Sequence, residues 1–272
     1  MKNNNLDYIL PTNFRTMGLT IIEPPAFIAR WVQCFWLMDG RKSSERFIEE
    51  KLYPDAGTSL TFTVSENNAS VSFLNNTQVM MKRWDMLNTY VSIRFKPGAA
   101  FELLGLDVSE IRDIDVDFTD LDFTHKIHIN LLLNTLPTLN MIEQQHLLQD
   151  WLINLVCRAS PRINKLNTLF IQAFENVLSP LKIAEHSGVG HRTLQRYARK
   201  HLGTTPSQLY CYAQIRSARQ KLMSISNTIA AIGLDCGYFD QAHFTNAFRE
   251  HTLETPLQYR KRKLSQISNN IF

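Results

Sequence analysis

Apolar and polar positions alternate with a period of two in the first part of the chain and with a period near 3.6 in the last part. "SLTFTVSENNASVSFL" (residues 59–74) alternates, breaks at Glu66-Asn67-Asn68 and alternates again, which predicts a β-hairpin. "TYVSIRF" (89–95) predicts another strand, stopped by Pro97-Gly98. "AAFELLG" then predicts a short helix ended by Gly105. "FIARWVQCFWLMDG" (27–40) is aromatic and apolar throughout, and periodicity leaves it open between buried strand and helix. From residue 128 the spacing turns helical, through Leu131, Leu132 and Leu136, and after Pro137 through Leu147, Leu148, Trp151, Leu152 and Leu155. "RASPRINK" (158–165) is the candidate linker, and everything beyond it reads as helices with short turns. The pattern predicts an α+β chain. A strand-rich domain over 1–125 precedes a helical linker or dimerisation region over 126–160, and an all-α domain covers 161–272.

The all-α part repeats itself. Residues 181–206 and 229–256 align at Thr205-Pro206 and Thr255-Pro256, which brings Leu194 onto Phe244 and His201 onto His251. One extra residue in the second turn brings Gly188 onto Gly237 and Ile183 onto Ile232. Each copy is a short helix ended by glycine, a turn, and a second helix with an apolar inner face. Each closes at Thr-Pro, where Thr caps and Pro takes the first helical position. Helix, glycine turn, helix is the helix-turn-helix arrangement. Between the copies, Cys211, Ile215, Ala218 and Leu222 mark one continuous helix with no internal Gly or Pro. About 17 residues at 1.5 Å each span roughly 25 Å, a length suited to holding two reading helices near successive major-groove turns.

Charge separates along the same division. Residues 161–272 hold 15 Lys or Arg against 6 Asp or Glu, a net of +9, whereas residues 1–160 hold 14 against 19, a net of −5. A basic end on an acidic remainder points to one part that meets a polyanion. Asp240 is the expected cap of the last repeated helix, with Phe244, Ala247 and Phe248 on its inner face. Ala242, Asn246 and Arg249 lie opposite and Gln241 is exposed at the start, a face able to enter a major groove.

"SGVGHRTLQRYARKHLGTTP", "CGYFDQAHFTNAFRE" and "TPLQYRK" together resemble the DNA-binding domain of the AraC/XylS family of bacterial transcription regulators, over about residues 165–263. "WVQCFW", "LYPDAGTSLTF", "IRFKPGAAFELLG" and "DFTDLD" resemble, more weakly, a sensory domain found in one subset of that family. The resemblance implies two helix-turn-helix units joined by a long helix, behind an N-terminal domain that senses an effector or dimerises. It places base-reading positions at Arg192, Gln195 and Arg196 in the first module and at Gln241, Ala242 and Asn246 in the second. Arg199 and Lys200 stand behind the first set for phosphates, and Arg249 is near the second. Ala198 stands where the family usually has Phe, Gly233 where it has Ala, Leu253 where it has Gly, and Asn246 where Arg is frequent. The implied partners are double-stranded promoter DNA, RNA polymerase, a small-molecule effector and a second copy of the chain. No cofactor and no metal is implied.

The remaining signals are weaker. Trp36, Tyr53, Trp84 and Arg94 could line a pocket for an effector apolar at one end and anionic at the other, or could be ordinary core with Arg94 paired to an acid. Asp113, Asp115 and Asp117 are spaced like the start of a calcium loop. Phe118 and Thr124 stand where Gly and Glu are needed, so an edge strand is the better reading. His125 and His128 read as a surface pair. The cysteines, Cys34, Cys157, Cys211 and Cys236, form no CxxC, which argues against a zinc site and against a four-cysteine alkylation-repair methyltransferase carrying this type of DNA-binding domain. With no long apolar stretch and no signal peptide, a cytoplasmic protein and not an enzyme is expected.

Overall fold

The computed structural model describes residues 16–122, 127–159 and 164–268. It divides into two compact units, Arg15–Ala213 and Gln214–Phe272.

The first unit is built on an antiparallel sheet. Strands β1 (Leu19–Ile22), β2 (Val32–Asp39), β4 (Thr58–Val64), β5 (Ala69–Leu74), β7 (Thr89–Phe95) and β8 (Asp115–Asp117) lie in the order β1-β2-β7-β4-β5-β8. The stretch left open in sequence, residues 27–40, contains β2. β4 and β5 form the expected hairpin, closed by Ser65 N–H donating to the Asn68 carbonyl. Strands β3 (Phe47–Leu52) and β6 (Met80–Asp85) pair separately, with Ile48 opposite Trp84.

Register sorts the side chains by face. Phe35, Ile93, Leu60 and Phe73 form one cross-strand row, and Leu37, Val91, Phe62 and Val71 the next. All eight are buried in one core. Three helices cover that face: α1 (Ala99–Leu104, ended by Gly105 at φ +73°), α2 (Ile127–Thr135) and α3 (Met141–Ala159). Ile129, Leu132, Leu136, Leu148, Trp151, Leu152, Leu155 and Val156 are spent there. The stripe named for a dimer contact thus meets the chain's own sheet, leaving Leu131 and Ile142, each 66% exposed, outside. Half of the linker candidate, residues 160–163, and His125, within 123–126, lie outside the described residues.

The acidic run makes an edge strand. Asp113 accepts from Thr77 N–H and Oγ1 and from Gln78 N–H, Asp115 pairs with Lys82, and Asp117 accepts from Thr119 N–H and Oγ1. These carboxylates fasten loops to β8. His128 Nε2 lies 3.1 Å from Arg158 Nη1.

The first helix-turn-helix module belongs to the same unit as the sheet. Its helices are α4 (Lys165–Glu175), α5 (Pro180–Ser187) and α6 (His191–Leu202), followed by α7 (Pro206–Lys221). Arg30 Nη2 donates to Thr168 Oγ1 at 2.7 Å, and Tyr212 Oη to the Thr77 carbonyl at 2.7 Å. The His201 ring stacks on Phe101 with centroids 3.7 Å apart and lies 3.9 Å from Tyr197. Burial, and then the charge of Lys200, pull the His201 imidazolium down to about pKa 4, with Asp107 opposing. A histidine whose folded pKa is depressed binds more protons unfolded, so its stabilisation is present above about pH 6.5 and is lost as pH falls towards 4. Glu102, raised by burial although it accepts from Trp31 Nε1, acts in the opposite sense. Stability measured by urea titration from pH 7 to pH 4 should therefore fall less in His201→Phe than in the wild-type chain. Parallel curves would remove His201 as the titrating group.

The second unit contains α8 (Ile229–Asp235), α9 (Gln241–Thr252) and α10 (Pro256–Ser268). Both modules close on the same device. Thr205 Oγ1 accepts from Gln208 N–H while Gln208 Oε1 accepts from Thr205 N–H, and Thr255 and Gln258 repeat this pair. The Thr-Pro-x-Gln anchor of the repeat is a reciprocal cap.

Departures from the family pattern are compensated locally. Each reading helix ends on a left-handed residue, Gly203 at φ +68° in the first module and Leu253 at φ +61° in the second. A Cβ at Gly203 would fall 2.4 Å from Asn75 Nδ2, so that position admits only glycine, whereas Leu253 is 58% exposed. Leucine in this conformation is strained. Leu253→Gly should raise stability by about 0.5–1 kcal/mol in denaturant titration; a loss would mean that the Leu253 side chain matters more than its backbone strain.

Candidate nucleic-acid interface

The second helix of each module carries the candidate reading residues, and their burial follows one pattern. In α6, Leu194, Ala198 and Leu202 are buried, Gln195 and Tyr197 half-buried, and His191, Arg192, Thr193, Arg196, Arg199 and Lys200 exposed. In α9, Phe244, Phe248 and Thr252 are buried, Thr245 and Ala247 half-buried, and Gln241, Ala242, His243, Asn246, Arg249 and Glu250 exposed. The helical period puts the buried residues of each helix on one side and the reading residues on the other.

The cores beneath these faces are filled differently. In the first module, Ala198 lies among Phe170 and Phe174 from α4, and Tyr197 stacks on Phe170 at 5.9 Å. Helix α4 therefore supplies the aromatic volume that α6 lacks. In the second, Phe248 supplies it directly, 5.6 Å from Phe244 and 5.4 Å from Tyr259. Gly233 suits Phe244, because a Cβ there would sit 3.0 Å from the phenylalanine's Cβ and Cδ1. The smaller Leu194 in the first module is matched by Ala184. Small faces large in each pair, so packing volume is kept.

Several cations of the chain are tied to carboxylates. Arg41, Arg46, Lys82, Arg94, Lys96, Lys221 and Arg262 each pair with a carboxylate. Among the described residues, Arg192, Arg196, Arg199 and Arg249 form no such ion pair. Four exposed guanidiniums held on two helix faces and left to solvent are available to phosphates or to guanine edges. Lys200, expected to serve a phosphate, instead has its ammonium 5.8 Å from the Phe101 ring centroid.

Of the effector candidates, Trp36 and Arg94 lie on the sheet face away from the helices, Trp84 stands on β6, and Tyr53 follows β3. Trp36, Ser92, Thr61 and Ser72 form a cross-strand row, with Cys34, Arg94, Ser59 and Leu74 beside it. Trp36 and Trp84 meet edge to face at 5.5 Å, and Trp84 meets Tyr90 at 4.9 Å. Tyr53 is half-buried. Of the two readings open for Arg94, the structure shows the pairing with an acid: it pairs with Asp55 and donates to Ser59 Oγ at 2.9 Å. Asp55 lies 39 residues before Arg94, and no local pattern signals that pairing. The face is polar at its centre, where Ser92 Oγ donates to the Leu60 carbonyl at 3.0 Å and lies 2.9 Å from Thr61 Oγ1, whereas Trp36 and Trp84 belong to an apolar cluster with Met38, Ile48 and Tyr90. Trp84 Nε1 is buried and makes no hydrogen bond among the described residues.

Comparison with known proteins agrees with this geometry. Residues 183–262 match a helix-turn-helix domain family, and residues 20–117 match a domain family of unknown function. The HTH-type transcriptional regulator ArgR of Pseudomonas aeruginosa is 34% identical over 103 residues, 38% of this chain and 31% of that protein. The HTH-type transcriptional regulator CdhR of the same organism is 33% identical over 86 residues, 32% of this chain and 26% of that protein. The chain thus spans about a third or less of the length of these curated relatives. A solved transcriptional regulator from Chromobacterium violaceum, described as an AraC-type DNA-binding domain-containing protein, is 35% identical, with 35% of this chain covering 89% of it at a TM-score of 0.34. The match over residues 183–262, which here form two helix-turn-helix modules, means that the chain carries a helix-turn-helix domain of the AraC type.

Proposed function

We propose that this chain is a sequence-specific DNA-binding transcription regulator, reading duplex DNA through α6 and α9 under the control of a small effector taken up by its N-terminal sheet domain. The observation that carries the reading is the repetition of one burial pattern on two helices, each offering exposed arginine without an ion pair to a described carboxylate. Arg192, Gln195 and Arg196, with Gln241, Ala242 and Asn246, are assigned to base edges, and Arg199 and Arg249 to phosphates. The DNA-binding part is assigned to residues 161–272. The test is selection of bound sequences from a random duplex library by the full chain, followed by titration at several salt concentrations. Affinity should fall linearly on a log–log plot, with a slope of about 0.9 per phosphate contact. A salt-independent affinity, or no enriched sequence, would overturn the assignment.

The effector site is placed at Trp36, Tyr53, Trp84 and the Arg94–Asp55 pair. Its support is the buried Trp84 N–H, unpaired among the described residues, since buried donors are nearly always paired. An effector that brings an acceptor to this N–H would satisfy it. A thermal-shift screen of the full chain against small carboxylates and neutral metabolites tests this, with Trp84→Phe expected to weaken any hit. Regulation by a protein partner acting on the same domain is the competing reading, favoured if no small molecule shifts the transition. RNA polymerase and a second copy of the chain are the further partners proposed.

A further inference from the structure

Phe239 is 87% exposed, far more than an aromatic residue in a packed module ordinarily is. It stands immediately before Asp240, whose carboxylate caps α9 by accepting from His243 N–H at 2.7 Å. The residue before an N-cap commonly packs on the fourth residue of the helix as a hydrophobic staple. The first module follows that rule: Val189 precedes the cap Gly190 and lies in the same cluster as Leu194. In the second module the turn between the left-handed glycine and the cap is longer by one residue, Gly237 to Asp240 against Gly188 to Gly190. Tyr238 takes the staple position in space. It is buried, its ring is 5.1 Å from Phe244 and 5.3 Å from His243, and its N–H donates to the Gly233 carbonyl at 3.0 Å. Phe239 is therefore released from the core and projects at the entry of α9, next to exposed Gln241 and Ala242.

We infer that Phe239 is a base-reading residue of the second module, which with Ala242 contacts the C5 methyl group of thymine in the major groove. The inference rests on the DNA-binding reading above. Phenylalanine and alanine are among the side chains that recognise this methyl group by apolar contact, and they distinguish thymine without any hydrogen bond. The surroundings favour a nucleic acid over an apolar protein surface. Residues 214–272 carry eight Lys or Arg against four Asp or Glu, and Arg249 lies exposed on the same helix face as Ala242. The second module has fewer reading cations than the first, and apolar methyl contacts supply discrimination where guanidiniums are absent.

The experiment uses the full chain and an operator obtained by selection from a random duplex library. Each thymine is replaced singly by deoxyuridine, which lacks only the methyl group. Wild-type affinity should fall about three- to tenfold at one or two positions in the part of the operator protected by the second module. Phe239→Ala should bind the thymine operator correspondingly more weakly and show no further loss at those positions, whereas Phe239→Leu should keep part of the sensitivity. Because Phe239 is exposed, its replacement should leave the thermal transition unchanged, which separates lost contact from lost fold. If sequences are enriched but deoxyuridine is neutral everywhere, or if Phe239→Ala keeps the wild-type sensitivity, Phe239 faces something other than DNA, such as a protein partner, and the inference is overturned. If no sequence is enriched, the DNA-reading assignment fails and the Phe239 contact falls with it.

Discussion

Phe248→Ala should unfold the second module, at a cost of about 3–5 kcal/mol. Phe248 is fully buried and sits between Phe244 and the equally buried Tyr259. Removing its ring leaves a void bounded by two large aromatic side chains that cannot both collapse into it. The first module tolerates alanine at the equivalent position, Ala198, because Phe170 and Phe174 of α4 fill the space. In the second unit the aromatic rings around α9 come from Tyr238, Phe244 and Tyr259, each already committed to another contact. Hydrogen exchange of residues 229–263 should lose its protection, DNA affinity should drop with it, and the sheet domain should keep its own. Retained protection at α9 would show that the module repacks and that the ring is not its keystone.

Arg192→Ala and Arg196→Ala should each weaken binding to the selected operator by about 1–3 kcal/mol and relax the preference at one or two base pairs. Both guanidiniums are exposed on α6 and neither is tied to a carboxylate among the described residues, so little has to break before they engage a guanine edge. Asn246→Ala should cost under about 1 kcal/mol, since a neutral contact releases no counterion. Salt-matched titrations of the three variants decide the matter. If Asn246→Ala is the most damaging, the second module is the principal reader. If neither arginine variant changes base preference, both serve phosphates only.

Much of this architecture was legible in the residues because the signals are local. A helix announces its buried face through i, i+3 and i+4 spacing, and its ends through caps that lie within four residues. Leu194, and Phe244 and Phe248, were placed correctly for that reason, as was the pair of Thr-Pro caps. The hairpin of β4 and β5 and the acidic edge strand followed from alternation with a period of two. Charge added what periodicity lacks, since it marked which end of the chain is basic.

What the residues left open depended on partners distant in the chain. An apolar stripe says that something covers it, not what does. The leucines of α2 and α3 fit a dimer contact as well as a sheet, and only the packing showed them spent on Phe35, Phe62 and their neighbours. An acidic partner for Arg94 could be expected, but only the fold shows that it is Asp55. Ala198 reads as a thin core until α4 supplies Phe170. Phe239 and Tyr238 are adjacent aromatic residues of similar hydrophobicity, and sequence offers no reason to bury one over the other. One extra residue in the turn rotates Tyr238 onto Phe244 and turns Phe239 to solvent, because a staple has room for a single ring. Periodicity determined which elements form and which face of each is apolar; three-dimensional packing, governed by volume and by contacts across tens of residues, decided which of those faces remained free to bind.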